Sequence, residues 1–555
     1  MRTSSLSHHQ YMYTYMCDRR LIICNTYHTI KPTKKTIIMA PPGLVIDSTN
    51  NIQQGINQVE TKQQQSSDKS IINEFIRSTL PNAKADRNDI KYAPYSGNYA
   101  LKGRDAPVYL IVDDVKYDCS QWLNRHPGGD IILQYNGLDA TDVFKAMHGK
   151  KAFKILKALP HEKVSPRSTM RKESKVEDST TKRIQAFREL RQKFVDDGLF
   201  ETSVPWYIYK TVTCVGLVVF ASWMVFNLSP TSFFSYPLIP LILSAFILGL
   251  GWQQLGWVAH EYLHHQVVED REWNTTIGQF LGNVCSGFSI VWWKIRHNEH
   301  HAATNVIEHD PDIDNLPLLA WSQYDIDQVV ERFGEKNKQL VYNILQYQKY
   351  YFFPLMCFLR VIWLIQSALL VKDLHLSTNK SFRKRQKSEI ITMATHYTWL
   401  SFVMLRVFQL GQETYDGSIY GGLMYFGIFL LISQCFAGIS LALVVFMNHY
   451  PIEKHGAETL KDGDWAALQC VGTLNVTKTN WPRLADWFFG GLNFQIEHHL
   501  FPTMPRHNLR TASRNVMEFC LKHNVPYKSV SPTGGVKMIF TWLEKISNLC
   551  VMDES

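Results

Sequence analysis

The strongest constraint on the fold is a pair of long apolar segments, residues 211–228 and 233–257, neither of which contains a charged residue. Each segment is long enough to cross the hydrocarbon core of a bilayer, about 30 Å thick, as an α-helix. Only a short turn around Ser229 and Pro230 separates the two segments. They therefore predict a helical hairpin in a membrane, inserted by the apolar segments themselves.

Three further apolar segments follow, at residues 350–371, 391–410 and 419–447. The first carries Arg360 at its middle, and a charge at mid-bilayer is costly, so this segment is expected to lie in the membrane interface. Histidine-rich blocks lie before and after the three segments, and they share one side of the membrane only if an even number of segments spans. The other two are therefore expected to span, despite Arg406, which gives four spans in two hairpins.

The basic residues lie mainly beside the apolar segments, and the net charge is +9. This arrangement favours an anionic membrane surface over nucleic acid as a partner. The strongly basic loop 372–387 is expected to face the cytosol. The ten cysteines are scattered without a Cys-x-x-Cys pair, which is typical of reduced thiols. Residues 1–89 show no signal-peptide pattern and are largely polar, so we expect an N-terminal extension that is disordered.

A pattern typical of a small soluble domain begins near residue 106. Two β-type runs flank a pair of aspartates, which predicts a β-hairpin. His126 then stands in a His-Pro-Gly-Gly turn, and His148 follows 22 residues later. Two histidines displayed from opposing loops of a small apolar pocket suit bis-imidazole ligation of haem iron. A plain surface turn would explain the His-Pro-Gly-Gly sequence alone but not the pattern around it.

Three histidine-rich blocks, residues 260–265, 297–301 and 495–499, lie beside the predicted membrane segments. Histidines three or four residues apart fall on one face of a helix, so each block can direct several imidazoles to a common point. Eight neutral nitrogen donors suit transition metals and are too many for one ion, so two ions are expected. Zinc fits the ligand type, but an electron-carrying domain in the same chain argues for a redox metal, hence iron.

Residues 90–165 closely resemble cytochrome b5, and the three blocks resemble those of the membrane fatty-acid desaturases. A fused haem domain and a third block that opens with Gln495 are typical of front-end desaturases, among which the Δ6 fatty-acyl enzymes look most similar. The resemblance implies an α+β haem domain before an all-α multi-pass membrane body, with four transmembrane helices, interfacial helices and a cytosolic histidine-box cap. The predicted organisation is an extension (1–89), a haem domain (90–165), a linker with an amphipathic segment (166–200), a membrane desaturase domain (201–530) and a C-terminal tail (531–555).

The resemblance also implies the cofactors and the reaction. Haem b would be held by His126 and His148, with Gly128 and Gly129 letting the backbone approach. Two iron ions would use O₂, with electrons from NADH delivered through a separate cytochrome b5 reductase. The substrate would be a C18-type acyl chain on coenzyme A or on a phospholipid, desaturated at Δ6. The protein would lie in the endoplasmic reticulum membrane, with the haem domain and the histidine blocks facing the cytosol and no nucleic acid as partner.

The resemblance extends to individual positions of the blocks. The residues on the catalytic motif positions are His260, His264, His297, His300, His301, Gln495, His498 and His499. The family motif requires only one histidine where His264 and His265 stand, and both are included as expected metal ligands. His449, which follows the last apolar segment, is a further expected ligand, and Asn448 beside it could hold a water. Gln495 replaces a histidine of other desaturases and would be a weak ligand or a hydrogen-bond partner of bound water.

Other polar residues near the blocks are expected to play supporting parts. Asp310, Asp312 and Asp314 form an acidic cluster that could bind metal alone. We interpret the cluster as support for the site or its loop, because desaturase irons are held by nitrogen. His309 and His507 are expected to pack or to lie at the surface.

Three other functions fit parts of this pattern. A sphingolipid long-chain-base Δ8-desaturase shares both the architecture and the blocks. A hydroxylase or an acetylenase would use the same di-iron core. A histidine-rich metal transporter would place its ligands in mid-span along a pathway, and it would have no use for a haem domain.

Overall fold

The computed structural model of the protein describes residues 107–164, 175–230 and 237–552. The disorder predicted for residues 1–89, the predicted start of the haem domain and the first part of the linker lie outside the described residues. Within the described ranges, a small domain that contains a sheet precedes a body that is mainly helical.

The N-terminal domain is built on a three-stranded antiparallel sheet with the strand order β1-β2-β3. The strands are β1 (Tyr109–Val112), β2 (Val115–Asp118) and β3 (His161–Lys163). Val112 pairs with Val115, and the intervening Asp113 and Asp114 have positive φ angles of 51° and 59°. Two left-handed residues in a two-residue connection match the right-handed twist of the strands. The predicted hairpin is confirmed.

Short helical segments complete this domain. They are the 3₁₀ turns Leu123–Arg125 and Gly129–Tyr135 and the helices α1 (Thr141–Met147) and α2 (Lys150–Ala158). Their side chains Leu123, Ile132 and Phe144 pack in one core with Val112 of the sheet. The same core continues into the body through Phe501, so the two parts share an apolar interior.

Hydrogen bonds also join the N-terminal domain to the body. Tyr135 Oη donates to the Ala302 carbonyl at 2.6 Å. Asn379 Nδ2 donates to the His126 carbonyl at 2.9 Å, and this contact is buried. The segment that carries His126 is therefore held directly against the body.

The body is almost entirely helical. Its first helices are α3 (Lys175–Asp196), α4 (Val204–Asn227), α5 (Leu238–Leu263), α6 (Arg271–Gln279), α7 (Ile290–Ala302), α8 (Gln323–Phe333), α9 (Glu335–Leu345), α10 (Gln348–Met356) and α11 (Leu359–Asp373). The later helices are α12 (Lys380–Thr414), α13 (Ile419–His449), α14 (Trp465–Val471), α15 (Pro482–Phe488), α16 (Gln495–Leu500), α17 (Arg506–Lys522) and α18 (Pro532–Met552). A π-helical turn, Phe280–Ser286, and the 3₁₀ turns Pro311–Ile313, Leu374–Leu376 and Ala457–Asp462 connect them.

Of the described helices, three are individually long and apolar enough to cross a membrane: α4, α5 and α13. They coincide with three of the four predicted spans. α4 leaves large apolar side chains exposed, as a helix in contact with lipid does. These side chains include Val212, Val219, Phe220, Trp223 and Phe226.

The fourth predicted span, residues 391–410, lies in α12. α12 is not among the described helices that are individually long and apolar enough to cross a membrane. α10 and α11 are long and apolar enough to cross a membrane only when they are taken together, and they are bent by 71° relative to each other. Arg360 in α11 is buried; its guanidinium lies 3.6 Å from the Trp252 ring and donates to Gln434 Oε1 and to the Ser286 carbonyl. These contacts lie inside the protein, so the Arg360 guanidinium is shielded from lipid and has polar partners. The four-span topology stays a prediction.

The three long apolar helices pack together, with α5 in contact with both α4 and α13, while α12 packs on α13. At the contact between α12 and α13, a Cβ on Gly411 would lie only 2.3 Å from the Gly421 carbonyl oxygen. Small residues permit this close approach of backbones, as is usual for membrane helices. α5 carries His260 in its last turn and α13 ends at His449, so both helices deliver a histidine at their C-terminal ends.

The segment predicted as a C-terminal tail is largely helical, because α18 occupies most of it. Ile539, Leu543 and Ile546 are buried against the body. Their spacing of three or four residues forms one apolar face. The prediction of a C-terminal tail is therefore wrong for the described part of this segment, which is an integral helix of the body.

Candidate metal centre and haem pocket

Five histidines bring ring nitrogens to within 4.8 Å of one another: His260, His264, His297, His301 and His498. His260 and His264 come from the end of α5, His297 and His301 from α7, and His498 from α16. The two members of each pair are four residues apart, so they lie on one face of their helix. Three segments that are distant in sequence thus converge on one point.

A second group contains His300, His449 and His499, whose ring nitrogens also lie within 4.8 Å of one another. The ring centroids of His300 and His449 are 4.5 Å apart, and those of His449 and His499 are 4.7 Å apart. His449, the ligand expected from the end of the last apolar segment, therefore lies in this smaller group.

The geometry explains why two of the blocks contain adjacent histidines. His301 and His498 belong to the larger group, whereas their neighbours His300 and His499 belong to the smaller one. Successive side chains on a helix point about 100° apart, so one doublet can serve two sites. The His301 and His499 rings stack with their centroids 4.1 Å apart where the two groups adjoin. The two groups share no histidine.

Several of the imidazoles suit metal binding because burial keeps them neutral or leaves a ring nitrogen without a partner. Burial lowers the pKa of His301, His498 and His499 well below the usual range, which favours the unprotonated form that binds metals. Among the described residues, the buried Nε2 atoms of His264, His498 and His499 have no hydrogen-bond partner. Such atoms are costly unless a ligand occupies them. The donor set therefore fits two transition-metal ions, one in each group.

The acidic cluster supports His300. His300 Nδ1 donates to Asp310 Oδ2 at 2.8 Å, and the same oxygen accepts from the backbone N–H of Asn305 at 2.8 Å. Burial alone would lower the pKa of His300, but the charge and hydrogen bond of Asp310 outweigh it and raise the pKa. Asp312 also lies within 4.8 Å of the His300–Asp310 pair, but it pairs with Arg296 at 3.2 Å. Asp310 thus orients the His300 ring, whereas Asp314 pairs with Arg332.

His499 is held by polar partners that the sequence analysis missed. Its Nδ1 donates to Gln469 Oε1 at 3.0 Å and lies 3.1 Å from Thr304 Oγ1. These contacts leave Nε2 directed away from them and available to a metal. Mutation of partners that orient a metal-binding histidine typically lowers metal affinity or activity by about 10- to 100-fold. They lie far from their histidine in sequence, so no spacing rule could have identified them.

Two carboxylates inside the blocks hold the segments that carry the histidines. Glu261 pairs with Arg506 at 3.0 Å, and both side chains are buried. Glu497 accepts from Tyr527 Oη at 2.8 Å and from Asn475 Nδ2 at 2.9 Å. Burial raises the pKa of Glu497 to about 7. These pairs tie the first and third blocks to the rest of the body, and the sequence analysis did not predict them.

Gln495 belongs to the smaller histidine group. Its Nε2 lies 2.7 Å from His449 Nε2, and its Oε1 accepts from Asn448 Nδ2 at 3.3 Å. The amide therefore contacts the ring nitrogen that faces the group. This position fits the expected role of a weak ligand or a partner of bound water.

Three of the histidines considered in the sequence lie in neither group. His265 has a φ of +61° and lines a different cavity, described below, so the structure does not place it with the other expected ligands. The His507 ring packs 5.3 Å from the Trp206 ring and 6.0 Å from the Tyr207 ring. His309 is also absent from both groups.

The N-terminal domain contains a pocket that fits haem. His126 Nδ1 donates to the Gly129 carbonyl at 3.0 Å, and His148 Nδ1 donates to the Phe144 carbonyl at 3.1 Å. The Nε2 atoms are left for a ligand between the rings, whose centroids are 5.9 Å apart. Burial lowers the pKa of His148 to about 3, so the ring is neutral. Both rings line a mainly apolar cavity of about 450 Å³.

The two glycines of the His-Pro-Gly-Gly turn make room for aromatic rings. A Cβ on Gly128 would lie 2.8 Å from Cε1 of His126. Gly129 has a φ of +76°, and its Cβ would lie 2.9 Å from the Phe382 ring of the body. The approach of these glycines to the haem stays a prediction. The structure shows that they leave room for the His126 ring and for the contact with Phe382.

A second cavity, of about 170 Å³, leads to the histidine groups inside the body. Most of its wall is apolar and includes Trp292, Leu359 and Leu441. It also reaches His260, His297, His300, His449 and Gln495. A mainly apolar space is thus lined by histidines of both groups.

A pocket between two histidines, two adjoining histidine groups and long apolar helices are together typical of a membrane oxidoreductase with metal cofactors. Residues 235–531 match the fatty acid desaturase family, and residues 98–166 match the cytochrome b5-like haem/steroid binding domain. The chain belongs to the front-end fatty acid desaturases with a fused cytochrome b5 domain.

Several curated relatives support this membership. The chain is 39% identical to the Δ8-fatty-acid desaturase of Euglena gracilis over 422 residues, which cover 76% of this chain and 91% of that protein. It is 34% identical to the Δ6-fatty-acid desaturase of Caenorhabditis elegans, with coverage of 74% and 89%. It is 32% identical to the Δ5 fatty acid desaturase of the same organism, with coverage of 73% and 87%. The resemblance to front-end desaturases is confirmed, but identity to the Δ8 enzyme exceeds identity to the Δ6 enzyme.

Substitutions of Gln495 are expected to grade by hydrogen-bonding capacity. Gln495→His keeps a nitrogen donor near His449 and should retain part of the activity. Gln495→Ile leaves a polar site without a partner, which typically costs about 1–3 kcal/mol. If this cost falls on the transition state, the rate drops by roughly ten- to hundredfold. Product yield and iron per protein are measured for both variants. Equal activity in the wild type and both variants would show that Gln495 only packs.

Proposed function

We propose that the protein is a front-end acyl desaturase that uses O₂ to introduce a cis double bond near the carboxyl end of a fatty acyl chain. The observation that carries this proposal is the mainly apolar cavity that is lined by histidines of both groups. A linear acyl chain is the kind of substrate that such a space admits. Family membership supports the reaction class.

In this proposal the protein holds the metals, positions the chain and excludes water. The eight histidines of the two groups would hold two iron ions, with Gln495 beside the smaller group. The bound ions would supply the oxidation in which –CH₂–CH₂– becomes –CH=CH– while O₂, with two further electrons and two protons, becomes two water molecules. The cavity wall, including Trp292 and Leu441, fixes which methylenes lie beside the metals and keeps bulk water away.

We propose that His126 and His148 hold a haem that supplies these electrons. NADH would be the source, through a separate cytochrome b5 reductase, at the cytosolic face of the endoplasmic reticulum. The supporting observation is that His264 lines the haem cavity and also belongs to the larger histidine group. The two sites are therefore direct neighbours.

For the position of the double bond, we propose Δ6, because the sequence around the histidine blocks looks most similar to that of Δ6 enzymes. Δ8 is the second candidate, and the specific observation that favours it is the 39% identity to the Euglena Δ8 enzyme, against 34% to the Caenorhabditis Δ6 enzyme.

Expression in yeast supplied separately with linoleate and with a C20 diene is expected to yield trienes. A Δ6 enzyme adds a double bond at Δ6 of linoleate, whereas a Δ8 enzyme adds one at Δ8 of the C20 chain. Gas chromatography and mass spectrometry of derivatised lipids locate the bond, and His499→Ala is the matched inactive control. Incubation of microsomes with acyl-CoA or with acyl-phospholipid identifies the carrier.

Other products would redirect or overturn the proposal. A new double bond in the long-chain bases of sphingolipids, with unchanged fatty acids, would assign the sphingolipid alternative. Hydroxylated or acetylenic fatty acids would show that the same metal centre catalyses a different oxidation.

A further inference from the structure

The haem cavity has walls from two parts of the chain. The N-terminal domain contributes His126, His148 and the apolar side chains between them. The body contributes His264 and His265 of the first histidine block and residues of α6, α7 and α12. The body therefore closes one side of a pocket that an isolated cytochrome b5 domain would leave open.

The side contributed by the body is cationic. Arg271, Lys294 and Arg385 all line the cavity. Arg271 donates from Nη2 to the Met147 carbonyl at 3.0 Å, and Lys294 donates from Nζ to Thr275 Oγ1 at 3.4 Å. Both of these contacts are with neutral oxygens, which compensate a cation poorly.

Arg385 has a weak anionic partner. It lies 3.5 Å from Glu272, whose side chain is 83% exposed, so the pair is screened by solvent. Burial, reinforced by repulsion from Arg385 and Arg271, lowers the pKa of Lys294 to about 7. The cavity thus carries more positive charge than its own carboxylates balance.

Haem has the complementary chemistry. Its macrocycle is apolar, but its edge carries two propionate carboxylates. Partly buried arginine and lysine side chains bind carboxylates by short, charge-assisted hydrogen bonds. Lys151, the cation that lines the cavity from the N-terminal domain, is 86% exposed and offers a much more solvated partner.

We propose that Arg271, Lys294 and Arg385 of the membrane body bind the propionates of the haem whose iron is held by His126 and His148. The haem site is then completed only when the N-terminal domain lies on the body. This inference rests on the haem assignment of the proposed function. It adds that the haem itself links the two parts of the chain.

The test compares haem with its dimethyl ester, which lacks the propionate charges, in the full-length protein. Haem transfer to apomyoglobin is measured for the wild type and for the double variant Arg271→Gln/Lys294→Met. The wild type should lose the ester about tenfold faster than haem, as expected for loss of partly screened charge-assisted hydrogen bonds. In the variant this difference should largely vanish. The variant should also have a more negative haem midpoint potential, because a nearby cation stabilises the reduced form.

Lys150→Gln is the matched control, because Lys150 is 94% exposed and does not line the cavity; it should behave like the wild type. A variant that keeps the full difference between haem and ester would overturn the proposal. A loss of that difference in Lys151→Gln instead would assign the propionates to the N-terminal domain. If the double variant retains no haem, the same comparison is made with Arg385→Gln alone. A wild type without a bis-histidine Soret band would contradict the haem assignment itself, which separates the two failures.

Discussion

Replacing His300 or His499 with alanine is expected to abolish desaturation and to lower the iron content of the purified protein. Each residue is one of three histidines in the smaller group, so each substitution removes a third of its imidazole donors. Neither residue lies in α4, α5 or α13, so membrane insertion should be preserved. The measurements are product yield in the yeast host, iron per protein and the amount of protein in the membrane fraction.

His507→Ala is the control for these two variants. Its ring packs on Trp206 and Tyr207 outside both histidine groups, so the variant should keep most of its activity and all of its iron. Near-normal activity in either His300→Ala or His499→Ala would show that the smaller group is not a metal site. An equal loss in His507→Ala would show that the assay reports on folding.

Replacing His126 or His148 with alanine is expected to eliminate haem and to reduce desaturation to background. Each variant loses one of the two axial ligands, whereas the histidine groups of the body keep all their members. Free cytochrome b5 in the host should not restore activity. The fused donor is held against the body by shared packing and hydrogen bonds, which a diffusing donor at low concentration cannot match. The absorption spectrum, iron per protein and product yield are measured together.

His161→Ala is a matched control in the same domain. His161 is exposed on β3, and its ring lies 5.4 Å from the Tyr117 ring, so haem content and activity should be unchanged. An unchanged low-spin bis-histidine Soret band in His126→Ala or His148→Ala would contradict the ligand assignment.

Local spacing accounts for what the sequence could predict. Helical periodicity directs His297 and His301 to one point, and two left-handed aspartates produce the hairpin before His126. The same logic could not separate His264 from His265. The chain turns at the end of α5, where His265 adopts a positive φ, and this turn directs its side chain to the haem cavity.

Long-range pairing accounts for what the sequence could not predict. The charge of Arg360 predicted a segment outside the bilayer core. In the structure its guanidinium contacts Trp252 and Gln434, which lie more than seventy residues away in either direction along the sequence. Gln469 positions His499 without any motif. The segment that was predicted as a tail forms α18, and its packing against the body shows that it is structural.

In the proposed function, the eight histidines are divided into groups of five and three, so each group would hold its own ion. The smaller group offers only three imidazoles beside the Gln495 amide, so it should release its ion first. A chain with one ion would keep its haem, its membrane anchorage and its acyl cavity, yet it could not form a double bond. In a cell short of iron, the abundance of the protein and the capacity for lipid unsaturation would therefore diverge.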